Sequence, residues 1–350
     1  MEDKKNNQVM YESELGIMST LDKSQQRTII RAIGVGGGSI NAVNLMYQNI
    51  DGVSFAVLDS DRQQLIDSPV PNRVLLRPNT AHGQGEKTRH AVEESKAEID
   101  AFLDDDTKMV IIIAGLGGET GTDVAPVVAR IAQEKEIALT VGVVTIPFQF
   151  EGTERIQMAL AGIEEMRKHV DALFVINNEH LTEIDNDLNP SNAFLKTDEA
   201  LTTVISSLYC LITPIDRRVC MDFNDVNYTL RKGGNAFIVS GFGSGERRVT
   251  KALENALESP LLKSCDVFSF KKILMIIYSN PDSETPLLMK EVSEIQEFNE
   301  SFDHEVDVIW ASAHDSTLKD QIKVTILATG FDMSYKSDLK PLKNMPSQNS

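Results

Sequence analysis

The sequence predicts a doubly wound α/β domain, then a long central helix, then a smaller α+β domain. Three observations carry this. From Thr28 onward, short apolar strand-like runs alternate with helix-like segments, the pattern that builds a parallel sheet. The run "KMVIIIAG" is apolar almost throughout, as a strand is when helices cover both of its faces. In the last third the strict alternation stops, and four strand-like runs share two helical segments.

Taken in order, residues 1–26 are polar and aperiodic and read as a flexible arm. The α/β domain spans 27–191. In it "TIIRAIGV" is a strand, "SINAVNLMYQ" a helix, "VSFAVLDSD" a strand and "VLLR" a short strand. Glu86 to Leu103 reads as a helix with Val92, Ile99, Phe102 and Leu103 on one face. After "KMVIIIAG" come a helix from Val124, the strand "ALTVGVVTI", a helix up to His169 and the strand "ALFVIN".

The central helix runs from Asn192 to Ile212, with Leu201, Val204, Ile205, Leu208, Leu211 and Ile212 at helical spacing, and Pro214 closes it. Helix and linker take up 192–219. The α+β domain, 220–334, holds the strands "NAFIVSGFG", "KILMIIYSN", "VDVIWAS" and "KVTILATGF", with helices at Arg248–Leu257 and Leu288–Phe302. Residues 335–350 form a polar tail containing two prolines.

Composition excludes several function classes. No apolar run is long enough to span a bilayer, and the N-terminus lacks the apolar core of a signal peptide. Cys210, Cys220 and Cys265 are too scattered for a disulfide framework or a zinc site, so a reducing, cytoplasmic setting is expected and no protein-held metal. The formal net charge of −18 argues against bare nucleic acid as a partner. Phosphate ligands stay open, because backbone N–H groups bind them without basic side chains.

Five clusters carry candidate chemistry. The first is the glycine loop "GVGGGSINAV", with Gly36, Gly37, Gly38, Ser39, Ile40 and Asn41 between a strand and a helix. Glycine lets the backbone approach a phosphate, and the helix N-terminus favours its charge. A dinucleotide reading is weighed here: Gly34-x-Gly36 starts that fingerprint and Asp59 ends the next strand, but Ser39 stands at the third glycine position.

The second is "GLGGETGT", with Gly117, Gly118, Glu119, Thr120 and Gly121 at another strand–helix junction. Thr120 and Thr122 are candidate donors to phosphate oxygens. Two such loops on one sheet edge favour a nucleoside polyphosphate over a nicotinamide cofactor, and no G-K-[ST] loop is present.

In the third, "TIPFQFEGTERIQ", Glu151 and Arg155 suit ribose hydroxyls and phosphate, or form a surface ion pair. In the fourth, Asn178, Phe194 and Asp198 supply a polar edge, an aromatic face and a carboxylate suited to guanine. In the fifth, "CMDFNDV", Asp222 and Asp225 form a carboxylate pair able to polarise a water, with helix capping by Asp225 as the alternative.

Together these stretches resemble the FtsZ family, the bacterial relatives of tubulin. "GVGGGSINAV", "AGLGGETGT", "TIPFQFEG", "HVDALFVINNE", "DFNDV", "SPLL" and "KVTILATGF" occur in the family's order from about Ile29 to Asp332. The resemblance implies a GTPase domain, a central helix and a C-terminal activation domain. It implies GTP or GDP with Mg²⁺ as cofactor, held by Gly37 to Asn41, Glu119 to Gly121, Glu151, Arg155, Asn178 and Asp198. It implies cytoplasmic, head-to-tail filaments at the division site. Asp222 and Asp225 would enter the next subunit's nucleotide pocket and orient the attacking water.

The chain departs from the family pattern near the nucleotide. Glu119 and Asp123 stand in a loop that the family builds from glycine and threonine. A carboxylate 5 Å from a phosphate charge costs about 3 kcal/mol at an effective dielectric near 20. A glutamate at a left-handed glycine position would add strain. The stretch "RPNTAHGQGEKTRH" is short, Cys220 replaces the asparagine before the aspartates, and Arg217 and Arg218 sit just upstream. Two readings follow: a GTP-hydrolysing filament protein, or a nucleotide-impaired paralogue that copolymerises with or caps a true FtsZ.

Overall fold

The structure, a computed structural model, describes residues 28–76, 92–183, 189–213, 221–263, 265–267, 269–283 and 286–333, and the backbone of 8–11, 19–22 and 217–219. The stretch "RPNTAHGQGEKTRH" and Cys220 lie outside the described residues.

The polar N-terminal segment expected as an arm contributes two short antiparallel strands, β1 (Gln8–Tyr11) and β2 (Ser19–Asp22). The α/β portion follows as β3 (Ile30–Val35), α1 (Gly37–Asn49), β4 (Ser54–Asp59), α2 (Arg62–Asp67), β5 (Asn72–Leu75), α3 (Lys96–Phe102), β6 (Met109–Gly115), α4 (Glu119–Glu134), β7 (Leu139–Ile146), α5 (Thr153–Met166) and β8 (Ala172–Asn177). β2 pairs antiparallel with β5 through Thr20 and Arg73. An edge strand presents unpaired N–H and C=O groups, and this segment meets some of them.

A short helix α6 (Asn178–Leu181) leads to the long α7 (Pro190–Ile212). Then come β9 (Arg217–Val219), α8 (Phe223–Leu230), β10 (Gly234–Gly243), α9 (Arg248–Leu257), β11 (Lys272–Ser279), α10 (Met289–Glu300), β12 (Asp307–His314) and β13 (Ile322–Thr329). Arg217 and Arg218 thus belong to an edge strand paired with β12.

All strands join one sheet in the order β1-β2-β5-β4-β3-β6-β7-β8-β10-β13-β11-β12-β9. It is parallel from β5 through β10, and β13 then runs antiparallel between β10 and β11. The two portions are therefore not separately walled. One apolar core lies under α1 and α7 and takes in Val57, Ile113 and Val143 on one side and Leu274, Ala311 and Leu327 on the other. The buried stripe of α7, Leu201, Val204, Ile205, Leu208 and Leu211, lies in that core. A second core packs α3, α4 and α5 on the opposite face, and a third packs α9 and α10 on the late strands.

Two helix boundaries differ from expectation. The segment expected as one helix to Leu103 is interrupted at Ser95 in its described part. α4 starts at Glu119, not Val124, so Pro126 sits inside it. Proline suits a first helical turn, which is why it points to a later start.

Candidate functional site

Four strand ends, those of β3, β6, β7 and β8, open on the carboxyl edge of the sheet, where such sheets bind ligands. After β3, Gly36 caps α1 with φ +79°, a left-handed conformation that favours glycine. Its N–H donates to Leu58 O at 2.9 Å. The Ser39 hydroxyl donates to Gly36 O at 2.9 Å, and the Ser39 and Ile40 side chains are buried. Ser39 and Ile40 therefore hold the turn from inside. Gly38 and Asn41 are exposed, and the first N–H groups of a helix have no acceptor within it.

The second loop lies directly against the first. A Cβ added to Gly36 would sit 3.1 Å from Gly121 N, and one on Gly121 would sit 2.2 Å from Gly115 O. Gly121 is thus required by packing inside α4. Gly117 has φ +95°, and its N–H donates to the Thr122 hydroxyl at 2.9 Å. Thr122 is buried, and its hydroxyl oxygen pins the loop by accepting that bond. Thr120 is partly exposed, its hydroxyl 3.4 Å from that of Ser60. A Cβ on Gly118 would meet nothing within 4 Å.

Glu119 takes the first position of α4 and is exposed, and the N-cap before it, Gly118, has no side chain to cap the helix. Glu119 is not among the left-handed non-glycine residues, so the anticipated strain does not arise. Asp123 follows one turn later. Both line a cavity of about 640 Å³ with Gly117, Gly118, Glu154, Arg155 and Met158.

After β7, Glu151 closes a 3-10 turn. One carboxylate oxygen accepts the Phe148 N–H and the other the Arg155 guanidinium, each at 3.0 Å. Glu151 and Arg155 do share a face, with Arg155 exposed.

After β8, Asn178 begins α6. It is 4% exposed, and its Oδ1 has no hydrogen-bond partner. On α7, Phe194 is 45% exposed and meets the rings of Phe148 and Phe150 edge-on at 5.5 and 6.1 Å. Burial pushes the Asp198 carboxyl up to about 6. An orphaned buried acceptor and a partly buried carboxyl beside an open aromatic face fit a ring edge that offers N–H donors.

Asp59 ends β4. It is 4% exposed and accepts from Asp61 N–H at 3.0 Å within its own turn. Burial raises its pKa against that bond.

Asp222 and Asp225 lie elsewhere. Asp222, not Asp225, is the N-cap of α8: its Oδ1 accepts the N–H groups of Asn224 at 2.7 Å and Asp225 at 3.3 Å. Asp225 returns a bond from Asp222 N–H at 2.9 Å. Just beyond the other end of α8, Arg231 bonds Ala138 O at 3.2 Å, immediately before β7, and Lys232 N–H bonds Asp171, immediately before β8. The pair therefore lies towards the amino edge of the sheet. α7 carries the chain there over 23 residues, about 34 Å of helix.

Sequence reasoning missed Ser60, which touches Thr120, and Gln64, whose side chain lies where a Cβ of Gly37 would be. It also missed the cavity residues Glu154 and Met158. None of these positions carries a motif signal.

Comparison with known proteins follows the same division. A model of the Tubulin/FtsZ family GTPase domain matches residues 29–186, and one of the FtsZ family C-terminal domain matches 234–332. The chain is 46% identical over 312 residues to the cell division protein FtsZ of Porphyromonas gingivalis, covering 87% of this chain and 67% of that one. It is 37% identical over 310 residues to the protein of that name from Aquifex aeolicus, covering 86% and 83%. An empty FtsZ dimer from M. jannaschii superposes with a TM-score of 0.74 at 34% identity, covering 87% of this chain and 89% of that chain.

Proposed function

The chain belongs to the FtsZ family, and from that premise we propose that it binds GTP at the carboxyl edge and hydrolyses it only between stacked copies. It would act in the cytoplasm at the division site as a head-to-tail filament. One observation carries the reading: the glycine loops and the Asp222–Asp225 pair lie towards opposite edges of the sheet, with α7 spanning between them. No single copy can bring the pair to its own loops. A second copy, stacked in the same orientation, can offer the pair to the first copy's loops, and such a heterologous contact repeats without closing.

Within the pocket, the N–H groups at Gly37, Gly38, Gly118 and Glu119 and the Arg155 guanidinium would hold phosphates. Glu151 would accept from ribose hydroxyls. Asn178 and Asp198 would accept from the guanine N–H groups, and Phe194 would cover the base. Mg²⁺ supplies charge neutralisation of the phosphates when bound. Asp222 and Asp225, exposed and partly exposed, would polarise the water that attacks the terminal phosphorus.

The test is phosphate release and light scattering from purified protein with GTP and Mg²⁺ across a protein concentration series. Turnover per subunit should rise steeply with assembly. Turnover independent of concentration would overturn the shared-site reading, and no turnover with bound nucleotide would return the chain to the impaired-paralogue reading.

A further inference from the structure

The carboxylate pair that opens α8 is aimed by the far end of the same helix. α8 has eight residues, about two turns, and a helix that short is not held by its own hydrogen bonds. Its last carbonyls need donors from outside the helix ladder. Tyr228 O accepts from the Lys272 ammonium at 2.6 Å, and Thr229 O accepts from the Thr329 hydroxyl at 3.0 Å. These donors are neighbours: Thr329, Lys272 and Asp307 form one register row across β13, β11 and β12. Asp307, the third in the row, accepts the Tyr228 hydroxyl at 2.5 Å. The Lys272 ammonium also lies 4.1 Å from the centre of the Tyr228 ring, and a cation suits a helix C-terminus. Tyr228 is 51% exposed, so these contacts, not core packing, hold its side chain. It follows Asp225 by three residues, which makes the two neighbours on the helix surface.

Resting on the hydrolysis reading above, we propose that Tyr228, gripped by Lys272 and Asp307, is a positioning residue for that reaction. The grip sets the tilt of α8, and the tilt sets where Asp222 and Asp225 stand against the terminal phosphate held by the next copy. The lever is short but sensitive. Asp222 stands about 9 Å of helix from Tyr228, so a swing of roughly 10° at the grip moves it by about 1.5 Å. A misplacement of about 1 Å costs a reaction on the order of 100-fold. The grip lies towards the amino edge, away from the glycine loops, so a subunit's own hold on nucleotide does not depend on it. Tyr228→Phe removes the bond to Asp307 and keeps the ring on Lys272, so a partial loss of turnover is expected, about three- to tenfold. Asp307→Ala removes the same bond from the other side. The two changes together should then cost no more than either alone, because they break one interaction. Asp307→Asn keeps an acceptor oxygen and should restore most of the turnover.

The experiment measures GTP turnover of the full chain with Mg²⁺ across a concentration series, for the wild type, these three single variants and the double variant Tyr228→Phe with Asp307→Ala. The slope above the assembly threshold gives turnover per assembled subunit, and the intercept gives the threshold. Calorimetry gives GDP affinity, and urea denaturation gives stability. The slope should fall in Tyr228→Phe, Asp307→Ala and the double variant, with threshold and GDP affinity within about twofold of wild type. An unchanged slope in Tyr228→Phe and Asp307→Ala overturns this inference alone. A raised threshold with an unchanged slope makes Tyr228 a contact between copies and also overturns it, as does a loss of turnover that simply follows loss of stability across the set. A wild type that binds GDP but shows no turnover overturns the hydrolysis reading and this inference with it.

Discussion

Asp222 and Asp225 hold each other's backbone: Asp222 Oδ1 accepts the Asp225 N–H at 3.3 Å, and Asp225 Oδ2 accepts the Asp222 N–H at 2.9 Å. The pair proposed to activate water thus also starts a helix, and the two roles separate by substitution. An asparagine side chain keeps an acceptor oxygen, so Asp222→Asn should change stability by less than about 0.5 kcal/mol, while Asp222→Ala should cost about 1 kcal/mol. Both should lower assembly-dependent GTP turnover by on the order of 100-fold. Urea denaturation and phosphate release, run side by side, check this. An Asp222→Asn protein with full turnover would remove the residue from the chemistry.

Asp198 predicts a pH dependence. Burial raises its carboxyl from the ordinary 3.8 to about 6. A folded-state pKa above the unfolded one gives stability that is fully present below about 4 and is lost as pH rises through about 6. Asp198→Asn should therefore stabilise the nucleotide-free protein more at pH 8 than at pH 5, by about 1–2 kcal/mol after allowance for partial screening. Binding runs the other way. Base N–H groups require the ionised carboxylate, so guanine nucleotide affinity should fall about tenfold per pH unit below 6 and lose that dependence in Asp198→Asn. Denaturation and binding titrations at four pH values test both signs.

Gly118 and Gly121 should respond oppositely to alanine. Gly118 has φ −95° and open space at its Cβ position, so Gly118→Ala should fold with a Tm within about 2 °C of wild type and lose nucleotide affinity. Gly121→Ala would drive a methyl to 2.2 Å from Gly115 O and should cost about 1–3 kcal/mol or more. Thermal melts with and without GDP distinguish them. Equal loss of stability in both would contradict the open space at Gly118.

Much of this was legible in the sequence, and the misses have identifiable causes. The strands from Ile30 to Asn177 read correctly where they are nearly all apolar, as at Met109–Gly115, whereas β5 begins on Asn72 and Arg73, two residues before the expected "VLLR". α7 read correctly because its stripe keeps helical spacing from Leu201 to Ile212. The start of α4 did not, because Gly121 and Pro126 resemble loop and first-turn residues, and only the packing of Gly121 on Gly115 explains a glycine within a helix. The contact of Thr122 with Gly117 was not legible, because nothing in the spacing marks that hydroxyl as an acceptor within its own loop. The opposite placement of Asp222 and Glu119 was not derivable from spacing, since it depends on the path of α7 and on where β7 and β8 begin.

The seam between the two portions has a mechanical consequence. β10 meets β8 through three residue pairs, Gly234–Ala172, Asn235–Leu173 and Ala236–Phe174, whereas its other edge meets β13 through eight. In the proposed stack of copies, a pull that entered at one edge of each molecule and left at the other would cross this line. With so short a ladder to break, the β8–β10 join is the fault line along which load would first part the two portions, while α7 would act as the strut bridging it.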